Sequence, residues 1–242
     1  MTQPVYVVGD LHGQVAELER ALSLIRGDGG PDAQIVFLGD YVDRGPDSRG
    51  LIERLIAGRD AGLNWITLLG NHDRMFAWFM EDTPRHDPHL LVGYHWLHER
   101  LGGVETLRSY GVEFEGQIRL EDLHQMAQAA VPKSHLTFLR DLVLMHQTPE
   151  LAFVHAGIRP GVPLNAQRDN DLVWIRQDFH AHRGPHPKLI VHGHTPVDQA
   201  THYGNRVNLD TGAGYGRPVG VAVFEGQTCW ELTDQGRLPL TP

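Results

Sequence analysis

Apolar and polar positions follow two regimes along this chain. In the N-terminal third, short apolar runs stop on polar clusters and give way to amphipathic stretches. PVYVVGD (4–10) predicts a buried strand, because a short apolar run closed by a turn signal suits a strand covered on both faces. Residues 14–26, QVAELERALSLIR, then place Val15, Leu18, Leu22 and Ile25 at helical spacing. IVFLGD (35–40) repeats the strand and the Gly-Asp ending, and DSRGLIERLIAGRDAG (47–62) predicts a helix started by Asp47 or Ser48 after Pro46. WITLLGNHD (65–73) reads as a third strand with a polar end, followed by an apolar helix, RMFAWFMED. Residues 81–141 carry helical patterning with few strand signals and predict an inserted helical cap. Beyond them LVLMHQ, ELAFVHAG, KLIVHGH, RVNLD, VGVAVFEG and TCWEL are short strands at close spacing, many with antiparallel alternation.

The pattern is α/β: two packed sheets flanked by helices, one domain over 1–242 with the cap at 81–141 inserted into it. Open α/β sheets bind ligands at the carboxyl ends of their strands, so the first three polar clusters are expected on one edge. A length of 242 residues with 41% hydrophobic content suits one large domain. No apolar run approaches 18 residues, and the first residues lack a basic region followed by a long apolar segment. A cytoplasmic protein with no membrane partner is therefore expected. The single cysteine, Cys229, excludes an internal disulfide framework and any multi-cysteine metal site, and its strand-like surroundings predict an inert buried thiol. A net charge of −9 argues against a general nucleic-acid binder, though a local cationic site can still take a small anion.

Sixteen histidines favour metal chemistry once their spacing is considered. The strand-end clusters hold Asp10 and His12 in GDLHG, Asp40 and Asp43 in GDYVDRG, Asn71 and His72 in GNHD, His155 in VHAG and His194 in VHGHTP. Every donor is oxygen or nitrogen, which suits manganese, iron or zinc. A lone Gly-Asp is usually a turn and a lone histidine a satisfied polar residue. Five clusters in order, each at a strand end, are not explained that way. The donors exceed what one ion needs. Two ions roughly 3.5–4 Å apart would use them, with one carboxylate bridging, and would clamp a phosphate beside an activated water. Phosphate monoesters need accelerations up to about 10²¹, whereas a general base alone supplies about 10²–10⁴.

These motifs, GDLHG…GDYVDRG…GNHD…HAG…GHTP, resemble the calcineurin-like metallophosphoesterases, and among them the phosphoprotein phosphatases. The resemblance is greatest to the bacterial and phage branch, which includes serine/threonine phosphatases and symmetrical diadenosine tetraphosphatases. LGGVETLRSYG (101–111), FVHAGIRPGVPL (153–164), DLVWIR (171–176) and NLDTGAG (208–214) extend it over almost the whole chain. It implies the four-layer α/β/β/α sandwich of that family and two divalent ions, manganese first, with iron, zinc, nickel or magnesium as alternatives. It implies further that Asp10 and His12 hold the first ion, that Asp40 bridges, and that Asn71, His155 and His194 complete the second. His72, paired with Asp43, would protonate the leaving oxygen. Arg44 and Arg176, with Asn71, would bind the phosphate. Of the two histidines in VHGHTP, the family's ligand is His194, which leaves His192 behind it or simply in the strand.

Phosphomonoester hydrolysis, on phosphoserine and phosphothreonine of proteins, is the leading expectation, by attack of hydroxide held between the ions. Symmetrical hydrolysis of diadenosine tetraphosphate, or a broad phosphoesterase activity, is the alternative. Asp43 favours the first, because dinucleotide hydrolases of this resemblance usually lack that aspartate. GNHD favours the second, because eukaryotic protein phosphatases carry GNHE. A non-catalytic scaffold is a third possibility, opposed by the full donor set. Elsewhere, His95 and His98 are expected on a half-exposed cap helix. His86, His89, His124, His135, His180, His182, His186 and His202 are expected at the surface. Asp73 is read as a carboxylate suited to a helix N-terminus, and Asp210 and Tyr215 as part of a turn that could line the site. Arg159 has two open readings, beside the metals or on the surface.

Overall fold

The computed structural model describes residues 3–242. Its three N-terminal repeats fold as parallel strands β1 (Val5–Val8), β2 (Gln34–Phe37) and β3 (Trp65–Thr67), each followed by a helix: α1 (Val15–Gly29), α2 (Ser48–Asp60) and α3 (Asn71–Phe79). Asp47 caps α2 by accepting the Gly50 N–H at 2.7 Å. The chain continues through α4 (Gly103–Ser109), α5 (Leu120–Ala130), α6 (Lys133–Asp141), β4 (Met145–Gln147), β5 (Leu151–Val154), α7 (Asp169–Trp174) and α8 (Gln177–His180). It then forms β6 (Leu189–His192), β7 (Thr201–His202), β8 (Arg206–Asn208), β9 (Val221–Glu225), β10 (Thr228–Thr233) and β11 (Gly236–Leu240). Two mixed sheets result, of order β11-β10-β9-β1-β2-β3 and β4-β5-β6-β8-β7.

The period-two geometry of a strand sorts its side chains between layers. Val5 and Val7 of β1 join Leu151, Phe153, Leu189, Val191 and Phe224 in the core between the sheets. Tyr6 and Val8 face the other way, toward the helices that cover the first sheet. Ala152, Val154 and Ile190 turn outward to pack with Leu172 and Phe179 of α7 and α8. Helix, sheet, sheet, helix is the layering. Cys229 lies in the inter-sheet core, where burial pushes its thiol up to about 11, so it is a packed apolar residue.

Several expectations need correction. The third strand stops at Thr67, and α3 begins at Asn71, so Asn71 and His72 sit in the first helical turn instead of at a strand end. Residues 81–102 contain no helix or strand, so His95 and His98 do not share a helix face. β7 and β11 were not expected. β11 lies at a sheet edge, which is where its Pro239 is tolerated, because an edge strand does not need every N–H in the ladder. His124 and His135 are buried, not superficial. Their helices turn these faces inward, where His124 meets the Phe79 ring and His135 pairs with the Tyr110 hydroxyl at 2.8 Å.

Asp73 does more than suit a helix dipole. Its buried carboxylate accepts the N–H groups of Asp40 (2.8 Å), Tyr41 (2.8 Å) and Gly70 (3.0 Å), stapling the loop after β2 to the start of α3. Asp73→Ala would orphan three buried N–H groups at ~1–3 kcal/mol each. We expect it to destabilise the fold by roughly 3 kcal/mol or more, seen as a Tm lower by roughly 6–12 °C in calorimetry. A shift under about 2 °C would contradict the staple.

Candidate metal centre

Loops after β1, β2, β3, β5, β6 and β8 meet at one rim of the two sheets. Asp40 is at their centre. Its Oδ1 accepts the His72 N–H at 2.9 Å and lies 3.4 Å from His155 Nε2, while its Oδ2 lies 3.6 Å from His12 Nε2. Two groups of potential ligands share it: His12, Asp40 and His72, and Asp40, His155 and His194. Asp10 stands beside them, held by the His194 N–H on Oδ2 at 3.0 Å, with its buried Oδ1 unpartnered among the described residues. Asp10, His12, Asp40, Asn71, His155 and His194 are each no more than 5% exposed.

The backbone is bent to achieve this. Among the described residues, the non-glycine positions with positive φ are His12 (44°), Asp40 (53°), Asp43 (74°), Arg44 (67°) and His194 (68°). All five belong to the motifs singled out in the sequence. Such conformations cost on the order of 1–3 kcal/mol each and persist where surrounding structure enforces them, typically at functional sites. Glycines supply the necessary closeness: a Cβ on Gly70 would lie 2.1 Å from Asp40 Oδ1, and one on Gly193 would lie 2.0 Å from Asp10 Oδ1.

Hydrogen bonding settles which ring nitrogen faces the centre. His12 Nδ1–H donates to the Val42 carbonyl at 2.7 Å, and His155 Nδ1–H donates to the Leu38 carbonyl at 2.8 Å. Each Nε2 is left with a lone pair directed inward, the arrangement in which a backbone carbonyl orients a metal-binding imidazole. His155 Nε2 thus meets Asn71 Oδ1 at 3.0 Å, acceptor against acceptor. Converging lone pairs with no proton between them fit a cation. The acids lead to the same conclusion. Burial pushes Asp40 up to about 7 and Asp210 up to about 6, and it holds Asp10 well above the carboxylate range with help from Asp210 and Asp40. Burial likewise lowers His12, His155 (to about 4) and His194. Divalent cations reverse these preferences and favour ionised acids beside neutral imidazoles. The donor set therefore fits a pair of divalent ions.

His72 is arranged differently. Its Nδ1 lies 2.6 Å from Asp43 Oδ2, and its Nε2 lies 2.9 Å from Arg44 Nη2. A guanidinium can only donate, so Nε2 is the acceptor and Nδ1–H donates to Asp43. Arg44 also reaches His12 Nε2 through Nη1 and lies over the exposed ring of Tyr215, its Cζ 5.1 Å from the centroid. Arg176, on the opposite side, donates through Nε to His194 Nε2 at 3.0 Å. Both arginines face the donors across the rim.

Other candidates resolve. Arg159 pairs with Asp171 and Asp178 at the surface. His192 packs edge-on against Phe179 and meets Arg206 at 3.3 Å, outside both ligand groups. Asp210, read from sequence as turn chemistry, is a buried acid close enough to Asp10 to raise its pKa. Trp96, Thr106, Asp87 and Trp174 were missed. Asp87 is buried under Arg74 (2.9 Å) and Trp174 Nε1 (3.0 Å), and the Trp174 ring lies 5.7 Å from that of His194. RHDPH gives no local sign of that burial.

Fold and site together define a metallophosphoesterase. The chain belongs to the calcineurin-like phosphoesterase family, whose model matches residues 3–221. It is 31% identical over 159 residues to the symmetrical bis(5'-nucleosyl)-tetraphosphatase of Thioalkalivibrio sulfidiphilus, a match covering 64% of this chain and 46% of that relative. The chain thus spans less than half of that relative's length. It is 28% identical to serine/threonine-protein phosphatase 1 of Salmonella typhimurium over 225 residues, 90% of each protein. The cold-active protein-tyrosine phosphatase of a psychrophilic Shewanella species shares the fold, with a TM-score of 0.62 at 17% identity over 100% of this chain and 81% of that one. No helix among the described residues is long and apolar enough to cross a membrane.

Below about pH 7 the metal-free Asp40 retains a proton that a cation must displace. Apparent manganese affinity is therefore expected to rise by roughly tenfold or more per pH unit up to about 7, and less steeply above it while Asp10, also held above the carboxylate range, gives up its proton. Titration calorimetry in buffers of different ionisation enthalpy should show proton release on the acid side. Affinity independent of pH between about 5.5 and 7.5 would contradict this picture.

Proposed function

We propose that this protein is a dinuclear-metal phosphatase acting on phosphomonoesters, with phosphoserine and phosphothreonine of proteins as the favoured substrates. The buried Asp43–His72 pair, 2.6 Å apart and opposite Arg44, is the observation that carries the reading. In it, Asp10, His12 and Asp40 hold one ion, and Asp40, Asn71, His155 and His194 the other. Manganese is the first choice. When bound, the ions supply an activated water and polarise the phosphate. Arg44 offers a planar fork to two phosphate oxygens, with Arg176 and Asn71 as further donors. In this reading His72 takes up a proton at Nε2 when Arg44 turns from it to the phosphate, gives that proton to the leaving oxygen and returns to the neutral form, while Asp43 holds Nδ1–H and favours the charged ring beforehand. Residues 81–141 act as the cap that selects substrates.

A second reading, symmetrical cleavage of a dinucleoside tetraphosphate, is favoured by the 31% identity to such an enzyme. Asp43 argues for the first. Comparing kcat/KM for a phosphopeptide and for diadenosine tetraphosphate with manganese decides between them, and a higher value for the dinucleotide would reverse the order. Asp40→Asn should remove most bound metal, measured by plasma emission, along with nearly all activity; full metal content would refute the bridging role. His72→Asn should retain metal and lower turnover of an alkyl phosphate by about 10²-fold or more. It should affect an aryl phosphate much less, because a good leaving group needs no proton.

A further inference from the structure

The Asp43 carboxylate is gripped from the segment 96–106, outside the five clusters that carry the candidate metal ligands. Thr106, in α4, donates its hydroxyl to Asp43 Oδ1 at 2.7 Å and accepts the Asp43 N–H at 2.8 Å. The indole N–H of Trp96 lies 2.9 Å from Oδ2 and 3.1 Å from Oδ1. With His72 on Oδ2 at 2.6 Å, each oxygen has a fixed donor, and the carboxylate plane cannot turn without breaking one of them. Asp43, Thr106 and Trp96 are all buried.

The two residues are themselves held. The Trp96 ring stacks on Phe76 at 5.2 Å and packs against Phe79 at 4.7 Å. Gly103 lies so close that an added Cβ would stand 2.6 Å from the indole. Next to it, the Gly102 carbonyl accepts the Arg44 N–H at 3.3 Å. Asp43 and Arg44, both at positive φ, are thus braced by one turn of the segment 96–106. Such strained conformations require external support of this kind.

We propose that Thr106 and Trp96 are positioning residues for the general-acid pair: they act through Asp43, fix the aim of His72, and tie the packing of the cap to protonation of the leaving oxygen. This rests on the phosphatase reading above and deepens it. A merely structural pair of hydrogen bonds would alter stability and leave the response to leaving groups unchanged. A positioning pair makes the enzyme selectively poor on substrates that need the proton.

The test uses Thr106→Val, Thr106→Ser and Trp96→Phe in the full chain, loaded with manganese for turnover and with diamagnetic zinc for the proton spectra. Two readouts are taken: the ratio of kcat on an alkyl phosphate to kcat on 4-nitrophenyl phosphate, and the downfield proton resonance of His72 Nδ1–H, assigned by its loss in His72→Asn. We expect the ratio to fall roughly tenfold in Thr106→Val and in Trp96→Phe, toward the limit set by loss of a general acid. The resonance should move in both, and Thr106→Ser should retain the parent ratio and resonance. Equal losses on both substrates, or an unchanged ratio with an unmoved resonance, would overturn the proposal. If the parent turns over neither phosphate, the phosphatase reading fails instead, and the resonance alone decides whether Thr106 and Trp96 position His72.

Discussion

Packing several carboxyls and imidazoles into one buried rim is a problem that positive charge solves, and Asp40 stands at its centre. Its two oxygens face His155 on one side and His12 on the other, while Asp10 and Asp210 crowd the same space. Burying an unpaired carboxylate costs several kcal/mol, which is why these groups hold their protons to higher pH than ordinary carboxyls. The fit to divalent ions and the raised protonation ranges of the acids both follow from that one concentration of acceptors.

The fold tolerates the arrangement because the strain is borne by rigid neighbours. Strands β1, β2, β5, β6 and β8 are buried on the apolar side chains that alternate along them, so their carboxyl ends are fixed points. The loops between these points can then be forced to positive φ at five non-glycine positions. Asp73 adds a second restraint by joining the loop after β2 to α3. Each loop contributes one or two donors and none could hold the geometry alone.

The segment 81–141 is coupled to this centre on two sides. Thr106 and Trp96 reach Asp43, whereas Asp87 reaches Trp174, whose ring lies against His194. Changes in that segment therefore reach residues on both sides of the rim.

Local pattern was enough to find most of the strands, though not β7 or β11, and to single out the polar residues that the fold gathers, because short-range signals encode both. A Gly-Asp just past a strand is visible in five to eight residues, and the apolar period assigns each side chain to a layer. What the pattern could not supply was anything set by long-range contact. The start of α3 at Asn71 depends on Asp73 finding N–H groups more than thirty residues away. The burial of His124, His135 and Asp87 depends on which side of the segment 81–141 turns inward. Thr106 and Trp96 look like ordinary helix and loop residues until the fold carries Asp43 between them. The sequence by itself determined which atoms are offered to an ion and a phosphate. Tertiary structure alone decided that Asp43 would meet His72, Thr106 and Trp96, because hydrogen bonds between distant segments exist only once the sheets have packed.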